Sequence, residues 1–218
     1  MVISKNSPSP RIHMSIDGEP INQVNTFTYL GQQVTEDGKS DHEIIRRISI
    51  ARSIFNKMRS TLTNANLGLE TRKRILKCYI WSTLLYGCET WTITNSIMKR
   101  IIAFEMWTYR RMLKISWTDK ITNEEVLNKI QNKSLQLENI LRLRKLRYFG
   151  HLIRRNNISR LLLEGQINGR RQRGRPRAMW IDNIKEWTQM QYSEAIRAAE
   201  NRSRWRTTIS SNPVKDGT

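Results

Sequence analysis

The chain has 218 residues, with 38 Lys and Arg against 19 Asp and Glu, a formal net charge of +19. Self-repulsion of that size suits a polyanionic partner, with nucleic acid ahead of an acidic membrane surface. No run of about 18 apolar residues occurs, which excludes a transmembrane helix, and Cys78 and Cys88, with no CxxC and no neighbouring histidine, exclude a zinc finger and argue against a disulfide scaffold.

The charge is uneven. Arg142 to Arg177 holds twelve basic residues and one acid, Glu164, whereas Met1 to Glu138 holds twenty basic and thirteen acidic ones. The C-terminal third is therefore expected to touch the partner hardest. Met1 to Lys5 offers no apolar stretch of the kind a signal peptide needs, so an intracellular location, nuclear or cytoplasmic, is expected.

At the N-terminus Val2–Ser4, Arg11–Ile16 and Thr26–Leu30 read as short strands, separated by Ser7-Pro8-Ser9-Pro10 and Asp17-Gly18-Glu19-Pro20. So few apolar residues cannot make an independent sheet. After Gly38 the period changes. Ser40 or Asp41 can cap a helix with the stripe Ile44, Ile48, Ala51, Phe55, Met58 and Leu62. Arg46 and Lys57 fall on its opposite face, flanked by Arg47, Arg52 and Arg59.

A second helix is expected from Glu70 to Tyr86, through Ile75, Leu76, Tyr79, Ile80, Leu84 and Leu85, ending at Gly87. A third follows a Thr94 cap, with Met98, Ile102, Met106, Tyr109 and Leu113 facing inward and Ile97, Ile101 and Phe104 on the adjoining strip. Thr122-Asn123-Glu124-Glu125 is a capping box. Leu135 to Ile153 reads as a helix bent or interrupted near Gly150. Asn156 to Gly174 reads as a basic linker with a short strand pair around Leu161 to Ile167. Two last helices run through Trp180, Ile184 and Trp187, and from a Ser193 cap through Ile196, Ala199 and Trp205, with fraying after Ser210. The fold class is mainly α, with a small N-terminal β-hairpin appendage.

Enzyme chemistry has little to stand on. The six aspartates, at 17, 37, 41, 119, 182 and 216, include no adjacent pair, and Glu124-Glu125 belongs to a helix cap. His13, His42 and His151 lie in unrelated contexts, and no G-x-S-x-G, P-loop or HExxH is present. His151 reads as a packing or phosphate-contacting residue. The seven tryptophans read as core, Trp117 excepted, because it sits among Ser116, Thr118 and Asp119. Arg173-Gly174-Arg175-Pro176 has the core of an AT-hook, in which glycine lets an extended Arg-Gly-Arg enter a narrow minor groove. Gln172 stands where the full motif has proline, so phosphate contact by a basic linker is the stronger expectation.

Taken in order, Phe27-Thr28-Tyr29-Leu30-Gly31, the Arg-rich helix, Leu84-Leu85-Tyr86-Gly87-Cys88-Glu89-Thr90-Trp91, Tyr109-Arg110-Arg111-Met112-Leu113, Arg147-Tyr148-Phe149-Gly150-His151-Leu152-Ile153-Arg154 and Gly174-Arg175-Pro176-Arg177 with Trp180 resemble one family. The chain resembles the reverse transcriptases of non-LTR (LINE-type) retrotransposons, from Met1 to about Trp187. The resemblance implies residual palm strands and a primer-grip-like hairpin over 1–38, with Phe27, Tyr29, Leu30 and Gly31 as the grip. It implies a thumb-like helical bundle over 39–118, connecting helices over 119–155, and a basic linker with C-terminal helices over 156–218.

Template and primer, RNA and DNA, are the partners the resemblance implies, with no membrane and no small-molecule substrate. Arg46, Arg47, Arg52 and Lys57 would line the thumb face. Arg142, Arg144, Lys145, Arg147, Arg154, Arg155, Arg170, Arg171, Arg173, Arg175 and Arg177 would hold the backbone. The family's catalytic aspartates, which bind two Mg²⁺ ions, have no counterpart here, so no cofactor and no polymerase activity are expected of this chain alone. Two rival readings stay open: a free-standing DNA- or RNA-binding protein with an AT-hook-like segment, and a non-functional remnant of a decayed element.

Overall fold

A computed structural model describes residues 1–3, 9–132, 134–155, 158–164 and 178–211. They are mainly helical and form two compact units, Met1–Gly87 and Cys88–Thr218.

In the first unit, β1 (Ser15–Ile16) pairs antiparallel with β2 (Glu19–Pro20), and β3 (Thr26–Tyr29) with β4 (Gln32–Thr35). The expected strand over Arg11–Ile16 is thus confined to its last two residues. Residues 1–3 are not a strand, and the rest of that expectation lies outside the described residues. Helix α1 (Asp41–Lys57) starts after Ser40 with Asp41 and Glu43 in its first turn, where carboxylates complement the helix dipole. Ile44, Ile48, Ala51 and Phe55 are buried as the spacing predicts, and Leu62 continues the stripe on the short α2 (Arg59–Leu62).

The next expected helix is built in three parts. α3 (Leu69–Ile75) widens into a π-helical turn over Leu76–Trp81 and closes as α4 (Ser82–Leu84). The Ser82 hydroxyl bonds the Cys78 carbonyl and Thr83 Oγ1 bonds the Tyr79 carbonyl at 2.8 Å, so side chains occupy carbonyls in the widened stretch. The wider turn alters the facing. Leu76, Ile80, Trp81, Leu84 and Leu85 are buried, whereas Tyr79, named on the expected apolar stripe, is exposed, as is Cys78.

The second unit opens with a 3₁₀ turn at Cys88–Thr90 and continues into α5 (Asn95–Met112). Thr94 caps α5 by accepting from the Ile97 N–H at 3.3 Å. Its buried face is Ile97, Ile101, Phe104, Glu105, Thr108 and Met112, with Met106 and Tyr109 beside it. The strip expected to be secondary is therefore the core, because two buried polar residues, Glu105 and Thr108, disguise the apolar period.

Glu105 explains its own burial. Its carboxylate accepts from the Gln136 and Leu137 N–H groups at 2.8 and 3.0 Å and from the Tyr109 hydroxyl at 2.9 Å. It thereby caps the first turn of α7 (Gln136–Ile153), whose N-cap Leu135 has no side chain for the task. Between them, α6 (Asn123–Lys129) starts with the expected box: Thr122 Oγ1 accepts from Glu125 N–H at 3.3 Å and Glu125 Oε2 from Thr122 N–H at 2.7 Å.

Helix α7 is the axis of this unit. It runs uninterrupted through Gly150, and α5, α9 (Trp180–Thr188), α10 (Tyr192–Glu200) and α11 (Arg202–Ser211) all pack on it. Gly150 serves close approach rather than a bend. A methyl there would overlap the indole of Trp205, whose Nε1–H donates to the Leu146 carbonyl at 2.9 Å. Ile158–Glu164 forms a helix, α8, where a strand was expected; leucine-rich Leu161-Leu162-Leu163 favours helix over strand. Residues 165–167 of that expectation lie outside the described residues. The last expected helix is two, broken at Asn201 and begun by Gln191 rather than Ser193.

Candidate nucleic-acid interface

In the first unit the expected grip residues lie on a tight hairpin. Tyr29 pairs with Gln32, so Leu30 and Gly31 alone make the turn, with φ of +47° and +76°. Left-handed backbone at both positions is the geometry that matches strand twist in a two-residue hairpin. Glycine accepts it freely, but leucine does so at a cost of roughly 1–2 kcal/mol.

The offset comes from outside the hairpin. The Tyr86 hydroxyl donates to the Leu30 carbonyl at 3.1 Å, and the guanidiniums of Arg46 and Arg47 both donate to the Gly31 carbonyl, that of Arg46 at 2.7 Å. Glu43 locks both arginines, at 2.8 Å to Arg46 Nε and 2.7 Å to Arg47 Nε, and accepts from the Gln33 N–H at 2.9 Å. Burial pushes the Glu43 carboxyl up, but these donors outweigh it and hold it below its ordinary range. Arg47 also lies over the Tyr86 ring, 4.6 Å from its centroid.

Arg47 is therefore buried structure, not a thumb-face cation, and Arg46 is half committed. Arg52 and Lys57 are exposed, as are Phe27, Tyr29 and Leu30 at the hairpin's tip. The result is a rigid hairpin presenting two aromatic rings and a leucine to solvent.

In the second unit, Arg144, Arg147, Tyr148 and His151 share one face of α7 at spacings of three, four and seven residues. With Glu89 and Thr90 from the 3₁₀ turn they line an open cleft of about 470 Å³. The turn is anchored by Trp180 Nε1–H, which donates to the Glu89 carbonyl at 2.8 Å, while the Trp180 ring meets Tyr148 edge-on at 6.3 Å. Burial, with Glu89 nearby, drives the Cys88 thiol up to about 12, and Arg144 opposes that rise. Cys88 is thus an inert packing group. Two guanidiniums and an imidazole against one carboxylate suit a phosphodiester. Among the described residues no three His, Cys, Asp or Glu side chains converge on a metal site.

The remaining expected contacts divide. Lys145 is fully buried. Its Nζ donates to the Trp91 carbonyl and to Asn183 Oδ1, both at 2.6 Å, and lies 4.8 Å and 5.5 Å from the Trp180 and Trp187 ring centroids. Burial pushes its pKa down to about 7. That placement removes it from any phosphate. Arg142 pairs with Glu138 and covers the Trp187 ring at 5.4 Å, and Arg154 donates to the Ala199 carbonyl at 2.8 Å. Arg155 is exposed. Arg170, Arg171, Arg173, Arg175 and Arg177, with the AT-hook-like core, lie outside the described residues.

Fold and site together define a mainly helical, strongly basic chain with an arginine-lined cleft in its second unit. The chain is 25% identical over 173 residues to a Caenorhabditis elegans protein described as an uncharacterized transposon-derived protein; the match covers 76% of this chain and 61% of that protein. The chain thus spans about three-fifths of that relative's length, and its likeness is to a transposon-derived sequence. No protein-family profile matches it, and no solved structure does. Among the described residues no helix is long and apolar enough to cross a membrane.

Proposed function

We propose that this chain is a nucleic-acid-binding part of a non-LTR retroelement reverse transcriptase, positioning template and primer without carrying the polymerase aspartates. The observation that bears most weight is the α7 cleft, where Arg144, Arg147 and His151 project together beside Tyr148. The pinned hairpin supports the same reading: Phe27, Tyr29 and Leu30 are exposed beside a turn whose Gly31 carbonyl is held by Arg46 and Arg47, as a surface that meets a primer terminus should be. Similarity to a transposon-derived protein fits this origin.

Phosphate contact fixes register and carries affinity, with no demand on base sequence. The test is Arg147→Gln, at an exposed position that lines the cleft. It should weaken binding to RNA and to duplex DNA of any sequence alike, and lower the log–log salt slope by about one. An unchanged slope would remove the cleft from the interface.

A further inference from the structure

Trp117 stands apart from the other tryptophans. Trp81, Trp91, Trp187 and Trp205 are buried, and Trp107 and Trp180 are half-buried, but Trp117 is 90% exposed. Indole is large and apolar, so a ring left this open forgoes a substantial burial gain.

The loop carrying it is tied by hydrogen bonds at both ends. Trp117–Asp119 is a single 3₁₀ turn closed by a capping box: Asp119 Oδ2 accepts from the Ser116 N–H at 2.8 Å, and Ser116 Oγ from the Thr118 N–H at 3.3 Å. The Arg110 guanidinium ties the far side, donating to the Ile121 carbonyl and to Asn123 Oδ1, both at 2.9 Å. Lys114 and Lys120 bracket the turn at φ of +57° and +49°, and both are exposed. The sole acid between Arg110 and Lys120, Asp119, is spent on the cap, against Arg110, Arg111, Lys114 and Lys120.

We infer that Trp117 stacks on an unpaired base of a bound RNA or DNA strand, with Lys114 and Lys120 meeting the adjacent phosphates. The inference rests on the nucleic-acid reading above and adds to it a preference for unpaired strand. A flat ring on a preorganised turn between cations is what base stacking requires, since every base offers a π-face while the charge holds the backbone. A duplex keeps its bases stacked on one another and gives the ring no partner. A protein groove would have to be acidic as well as apolar to match this loop, whereas a nucleic-acid strand supplies both features at every residue.

The test compares the full chain with Trp117→Ala and Trp117→Phe, using labelled oligo(U) and oligo(dT) 20-mers and a blunt duplex. Trp117→Ala should lose roughly five- to a hundredfold on the single strands and little on the duplex, with Trp117→Phe close to the parent. Single strands should also protect the exposed indole from acrylamide quenching, a component that Trp117→Phe removes. Equal losses on single strand and duplex, or none, overturn the inference while leaving the nucleic-acid reading intact; failure of the parent chain to bind any of the three overturns both. A lowered melting temperature in Trp117→Ala, or a self-association that the substitution abolishes, would likewise overturn it in favour of a packing role.

Discussion

Replacing Lys145 by methionine keeps an unbranched apolar stem out to Cε and removes the ammonium from the interior of the second unit. In the parent protein the amine is held by the Trp91 carbonyl, Asn183 Oδ1 and two indole faces, yet burial lowers its pKa from the ordinary 10.5 to about 7. Between these values the unfolded chain carries a proton that the folded chain has lost. Stability must therefore rise with pH across that window. Below about 7 both states are protonated and the full penalty of the buried charge applies. From pH 7 to pH 9 the linkage amounts to about 2 kcal/mol. Lys145→Met should lack this rise. It leaves the Trp91 carbonyl without its donor, at roughly 1–3 kcal/mol, whereas Asn183 Oδ1 still accepts from the Ile93 N–H at 2.8 Å; the absent charge partly offsets the loss. Urea unfolding followed by tryptophan fluorescence at pH 6, 7, 8 and 9 measures both effects. An equal pH slope in parent and variant would refute the buried-lysine account.

Gly150→Ala sets a methyl against the Trp205 indole and should destabilise the chain by about 1–3 kcal/mol in the same unfolding assay; full stability would show that α11 does not pack there. Glu43→Gln leaves Arg47 buried without its counter-charge, with a loss on the order of 3–5 kcal/mol at neutral pH. Because the Glu43 pKa is lowered on folding, its contribution is present above the ordinary carboxylate value of 4.5 and fades as pH falls through the folded value. The difference between parent and variant should therefore shrink in acid, and a constant difference would contradict the assignment.

Much of the helical frame was legible in the chain itself. The stripe from Ile44 to Phe55 and the Thr94 and Thr122 caps follow from spacing and capping chemistry alone. Legibility failed where polar side chains are buried. Glu105 and Thr108 hide the inner face of α5, and Lys145, in a run of arginines, looks like one more surface cation until Trp91, Asn183, Trp180 and Trp187 close around it. No local signal announces such a partner set, because Asn183 is 38 residues away. Arg47 misled in the same way, since its acceptors include a carbonyl 16 residues before it. The π turn at Leu76–Trp81 was hidden because a single extra residue in a turn leaves the composition unchanged. The cleft was half visible: the spacing of Arg144, Arg147 and His151 puts them on one face, but the 3₁₀ turn that completes it comes from more than fifty residues upstream.

The central claim is that the positive charge serves to hold a nucleic-acid backbone, and the salt dependence of binding tests it most directly. Arg144, Arg147 and Arg155, with Arg170, Arg171, Arg173, Arg175 and Arg177, can neutralise roughly six to eight phosphates. Titrating a labelled random-sequence duplex at several salt concentrations from 50 to 200 mM, by fluorescence anisotropy, should give a log–log slope of about −5 to −7. A slope near zero, or no binding at the lowest salt, would contradict the account.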